Sequence, residues 1–334
     1  MTIVRSSKAI GVLTARSTAS IVAVCLSSMP PAEHNITGAR PASIQARDVL
    51  FCALIGISVL VLWRQIAAVL HMAWHVDEYT HILLILPVSL SLIYLERGKL
   101  RGDVQYAPVA GALLGLLAIA IGIAGEMHAH RFSEGASLSV AIFALVTFWM
   151  ACVVGFYGRS IFWSLLFPLL FLFLLVPPPT LLLDKAIVFL QTASTEATFE
   201  LFKPTGLPVL KNGFLLTFPT LQIEVAKECS GIRSSIMLLL TGLILAHLFL
   251  QSFWSKVIFV LFIVPLSVIK NAIRIFTLSM LGMYVNPGFL YGRLHHEGGI
   301  VFFLIALAGL LFLLWILQRI ESRRVRPARP INVA

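Results

Sequence analysis

The run Glu228-Cys229-Ser230-Gly231-Ile232-Arg233-Ser234 sets a cysteine among charged and small residues at the head of a long apolar stretch. A thiol at a helix N-terminus feels the positive end of the helix dipole, which favours the nucleophilic thiolate. Arg233, four residues on, can share a helix face with it and favour the same anion. The chemistry this predicts is attack on a carbonyl. A structural cysteine, by contrast, is usually apolar and inert. Further along, Lys270-Asn271-Ala272-Ile273-Arg274 places two cations and an amide on one helix face inside another apolar stretch. A guanidinium in hydrocarbon is costly, so Arg274 should face a polar cavity, where it can stabilise or hydrogen-bond an anion in acyl transfer. Its plainer alternative, open equally to Lys270, is to snorkel to the interface or close an ion pair.

The third cluster, His295-His296-Glu297-Gly298-Gly299, stands just before the last apolar stretch. A histidine beside a thiolate is the usual means of activating it and moving protons around it. Histidines at a headgroup boundary are also ordinary loop residues. Trp74-His75-Val76-Asp77-Glu78-Tyr79-Thr80-His81 reads either as a polar loop with an aromatic anchor or as a substrate-facing rim. In the second case Asp77 and His81 support the site. His71, His75, His81, His128 and His130 match no tight ligand spacing, and Cys25, Cys52, Cys152 and Cys229 form no CxxC pair. The expectation is therefore no metal and no cofactor.

The elements that must position these residues are membrane spans. The 334 residues are 59% hydrophobic and 12% charged, against roughly half apolar and a quarter charged in a soluble domain. The apolar residues fall in runs near the ~20 residues that cross a bilayer. The net charge of +10 reflects cations flanking those runs, as the positive-inside rule expects, and not nucleic-acid binding.

Eight spans are predicted, at about 49–69, 82–96, 108–125, 137–157, 161–177, 232–250, 257–281 and 299–318. Arg97, Lys99 and Arg101 follow the second, Arg159 the fourth and Lys256 the sixth. Arg319, Arg323, Arg324, Arg326 and Arg329 follow the eighth. All are cytoplasmic if the N-terminus is inside. The predicted fold is an all-α polytopic membrane protein, N-in and C-in, whose three reactive clusters meet at the outer face. Pro177-Pro178-Pro179 must end the fifth span. Residues 181–202 suit an interfacial amphipathic helix. The pieces 209–210, 214–216 and 223–225, punctuated by glycine and proline, suit a small β-rich cap on the outer face between spans five and six. Residues 1–47 are expected to be a mobile cytoplasmic extension, 48–318 the transmembrane domain and 319–334 a basic cytoplasmic tail.

Together these residues resemble the exosortase and archaeosortase family of membrane-embedded cysteine transpeptidases. The resemblance rests on Glu228–Ser234, Asn271-Ala272-Ile273-Arg274-Ile275 and His295–Phe303, with Asp77–His81 similar to the family's first outer motif and a matching proline run at 177–179. It implies that Cys229 forms an acyl-thioester with an exported protein near that protein's C-terminus. It implies that Arg274 is proton donor or charge stabiliser, and that a histidine is the third member. The family's histidine stands four residues before a glycine opening the last span, which selects His295, with His296 the alternative. Arg233, Asn271, Asp77 and His81 are supporting candidates.

The implied substrates carry a short motif, one span and a basic tail, and are passed to a surface or lipid-linked acceptor. Any partner domain is expected on a separate chain. The implied location is the bacterial cytoplasmic (inner) membrane, with the site on its periplasmic face. The competing reading is a non-catalytic component of polysaccharide export or assembly whose polar stripe lines a passage. A passage should carry polar positions towards the midplane, whereas these gather at one surface.

Overall fold

Hydrocarbon offers the backbone no hydrogen-bond partners, so long apolar runs satisfy themselves as helices. The computed structural model describes residues 46–98, 106–128, 134–219, 221–286, 288 and 299–325. In order, α1 is Ala46–Val61, α2 Trp63–His75, α3 Ile82–Leu95, α4 Pro108–Met127 and α5 Glu134–Ser164. Then come α6 at Leu166–Phe171, α7 at Thr180–Phe202, α8 at Ile232–Phe249, α9 at Phe253–Tyr284 and α10 at Gly299–Val325. The described residues contain 6 helices long and apolar enough to cross a membrane, or up to 8 if each of two bent pairs is one span. From Arg47 on, the chain forms one unit.

Two predicted spans differ in shape. The first is not one straight helix: α1 and α2 meet at a 72° bend. The apolar run ends there in Trp63-Arg64-Gln65, polar side chains that hydrocarbon disfavours. The fifth is assembled from pieces. After Gly158, whose φ of 85° breaks α5 from within, the chain runs through α6 and a 3-10 turn at Leu172–Leu175 before turning by 94° into α7. The prolines at 177–179 cannot continue the helix, as expected.

Residues 181–202 do form a helix, with the charged Asp184, Lys185, Glu196 and Glu200 on its exposed side and a row of uncharged polar residues turned inward. The buried face of α7 includes Gln191, Ser194, Thr195 and Thr198, and it packs on α9. The Thr198 hydroxyl donates to the Ala272 carbonyl at 3.5 Å. The reason is its partner: α9 presents Ser267, Lys270 and Asn271 from its own buried face.

The predicted β-rich cap is a three-stranded antiparallel sheet of β1 (Leu210–Asn212), β2 (Leu215–Thr217) and β3 (Gln222–Glu224), in the order β1-β2-β3. Its core of Phe202, Leu216 and Phe218 rests on Phe276, Met280 and Met283 of α9. The helices α8, α9 and α10 share a second core around Leu238, Phe259 and Leu310.

Three contacts set the direction of this bundle. The Asn271 amide of α9 reaches the Cys229 carbonyl just before α8. At the other end, the Gln251 and Ser252 amides of the α8–α9 turn donate to the Glu321 carboxylate of α10, at 3.1 and 2.9 Å. At 1.5 Å per residue, α8 and the stretch 253–271 are each about 27 Å long. They therefore form an antiparallel hairpin with Cys229 at one end. Gly299, where α10 begins, stands at that same end.

Candidate active site

The cap delivers the cysteine. Val225, just past β3, donates its amide to the Phe214 carbonyl at 2.9 Å, while its own carbonyl accepts from the Gln191 side chain of α7. The chain then tightens into a 3-10 turn at Lys227–Ser230, closed by the Cys229 amide on the Ala226 carbonyl at 2.9 Å. Cys229 is half-buried and its thiol forms no disulfide.

Gly231 follows in the left-handed conformation, φ 73°, and caps α8. The helix thus starts at Ile232, the predicted start of the sixth span, with the cysteine just ahead of it. Cys229 precedes the cap by two residues, because the chain must reverse its twist at Gly231 before α8 can start. The dipole acts on it only from beyond the first turn, where it is already fading.

Gly231 also permits a close approach. A Cβ at this position would stand 2.9 Å from Asn271 Oδ1. Asn271 uses that proximity to donate from Nδ2 to the Cys229 carbonyl at 2.8 Å. The Gly231 carbonyl accepts from the hydroxyls of Ser234 and Ser235, at 3.0 and 2.8 Å. Lys270, buried on α9, donates from Nζ to Ser234 Oγ. The adjacent pair Lys270–Asn271 thus holds the chain from Cys229 onward, Asn271 at the Cys229 carbonyl and Lys270 through Ser234. Arg274 is half-buried one helical turn further along that face.

The first outer motif reaches the same place. Asp77, in a 3-10 turn before α3, accepts from Arg233 Nη1 at 2.8 Å. The Arg233 charge is therefore offset by a carboxylate, so its electrostatic help to the thiol is smaller than the sequence suggests. His81 is buried, with Nδ1 3.0 Å from the Glu78 carbonyl of its own turn. Its position is that of a packing residue beside the motif.

The structure thus brings together Cys229, Asn271, Arg233 and Asp77, with Arg274 on the adjoining turn of α9. His295 and His296 lie outside the described residues, as do Glu297 and His130. Among the described residues, no three of His, Cys, Asp and Glu converge as a group able to hold a metal. His71 and His75 stack on each other, ring centroids 4.1 Å apart. Sequence reasoning missed Gln191 and Ser234. For Gln191 a signal existed in the spacing of Gln191, Ser194, Thr195 and Thr198, which marks one polar helix face. Ser234 is one hydroxyl among several, and nothing in its spacing distinguishes it.

Among known proteins, the family model of transmembrane exosortases matches residues 74–312, from just before Asp77 to within α10. No curated protein and no solved structure matches the chain.

Proposed function

Because the chain belongs to the transmembrane exosortase family, we propose that it is a cysteine transpeptidase of the bacterial inner membrane, with Cys229 as its nucleophile. Its substrates are exported proteins that end in a short motif, one span and a basic tail. The observation that carries this reading is the Asn271–Cys229 hydrogen bond. It sets the polar face of α9, and so Arg274, beside the cysteine turn.

The Cys229 thiolate attacks the carbonyl carbon of the scissile peptide bond, forming a C–S bond and an oxyanion. Arg274 stabilises that oxyanion. The C–N bond then breaks, and the amine of the C-terminal span leaves with a proton from His295 or, in its place, His296. A nucleophile on a surface or lipid-linked acceptor next gives its proton to that histidine and attacks the thioester. The C–S bond breaks and the thiolate returns. Gly299 supports the histidine assignment, because α10 starts at the Cys229 end of the bundle.

The test is a processing assay in cells expressing an exported protein with such a C-terminal tail. Cys229→Ala is expected to keep normal protein levels while the unprocessed precursor accumulates. Normal processing by a well-expressed Cys229→Ala protein rejects the reading.

A further inference from the structure

Lys270 has no role in the scheme above, yet it is built into the site. It is 5% exposed, and burial of an ammonium is costly unless the charge is used or paired. Its hydrogen-bond partner is neutral, the Ser234 hydroxyl. No carboxylate pairs with it among the described residues, and the charge acting on it is a second cation, Arg274. The neighbouring cations are matched differently. Lys227, in the cysteine turn, faces Asp184 of α7 at 3.8 Å, and Arg233 of α8 is paired with Asp77. Glu228 is adjacent to Cys229 in sequence. On α9, Lys270 and Arg274 both lie on the face that meets the turn.

Lys270 is also wired to the turn itself. Ser234 accepts from Lys270 and donates to the Gly231 carbonyl at 3.0 Å, two residues past the thiol. A hydroxyl polarised by an ammonium is a stronger donor. We propose that Lys270 is a positioning residue of the site: through Ser234 it holds the Cys229–Gly231 turn, and its buried positive charge keeps Cys229 ionised. The inference rests on Cys229 being the nucleophile. It adds a second cation to the anion-stabilising face that Arg274 occupies, one acting on the resting thiolate.

The experiment reads the thiol without any substrate. Full-length protein in lipid nanodiscs, with Cys25, Cys52 and Cys152 replaced by serine, is alkylated with iodoacetamide across a pH series. The rate follows the thiolate fraction. Lys270→Met is expected to move the midpoint up by about one pH unit, the scale of a single nearby charge. Lys270→Arg, which keeps the charge, is expected to leave it near the parent value. An unchanged midpoint in Lys270→Met overturns the proposal.

If Lys270→Met does not fold, Ser234→Ala serves in its place. It releases the ammonium from the turn and should shift the midpoint in the same direction by less, and a midpoint equal to the parent's overturns the proposal. A failed shift leaves the processing defect of Cys229→Ala standing, so the two ideas fall separately.

Discussion

Gly231 and Asn271 form a steric lock around the cysteine. An alanine at 231 must hold a left-handed φ, a cost of about 1–2 kcal/mol, and also press its methyl against Asn271 Oδ1, 2.9 Å away. Gly231→Ala should therefore lower stability by roughly 2–3 kcal/mol. Asn271→Ala removes the obstacle along with the bond to the Cys229 carbonyl. The double variant should lose less than the sum of the two singles, a coupling that a double-mutant cycle on thermal unfolding detects. Strict additivity would show that the two residues do not meet. At this scale Cys229 and Arg274 were legible from sequence because each is polar where its surroundings are apolar. The Asn271–Cys229 bond was not, since it joins residues 42 positions apart and depends on where α8 and α9 come to rest.

Two polar contacts, one at each end, tie α3 to α8 and keep Asp77 beside the site. At the cysteine end, Asp77 and Arg233 are largely exposed, with side chains 74% and 57% accessible. At the far end His247 Nε2 meets Glu96 Oε1 at 2.7 Å, both mostly buried, and Phe167 stacks on the imidazole at 3.8 Å. Exposed pairs contribute little, so Asp77→Ala should cost at most about 1 kcal/mol. His247→Ala leaves a buried carboxylate without that partner and a void against Phe167, and should cost about 2–4 kcal/mol. Heat unfolding of the two variants should differ accordingly, and an equal loss in both would refute the ranking. The helices themselves were legible as long apolar runs, and the cap strands as short apolar pieces between glycines and prolines. The bend between α1 and α2 was not, because Arg64 and Gln65 interrupt the hydrophobic pattern without a proline. Nor was the inward polar face of α7, whose composition alone suits an interfacial helix equally well.

For the molecule as a whole, the cations that argue for orientation collect at the end opposite Cys229. Arg97 follows Glu96, Lys256 lies in the first turn of α9, and Arg319 and Arg323 flank Glu321 near the end of α10. The segment between α6 and α8 also carries lysines, but Lys203, Lys211 and Lys227 each pair with a carboxylate, Glu200, Glu196 and Asp184. Their net bias is small, so the positive-inside rule favours the far end as cytoplasmic and the cysteine end as periplasmic. Bent spans do not alter this: six crossings or eight are both an even number, so Ala46 and Val325 lie on the same side. The expected outcome is a labelling pattern. In a background lacking the other three cysteines, a membrane-impermeant maleimide should modify Cys229 in intact spheroplasts. A cysteine introduced as Ser322→Cys, in a Cys229→Ala background, should react only once the cytoplasmic face is opened. The reverse pattern would place the cysteine turn in the cytoplasm, where no exported protein could reach it, and would reject the periplasmic site together with the substrates proposed for it.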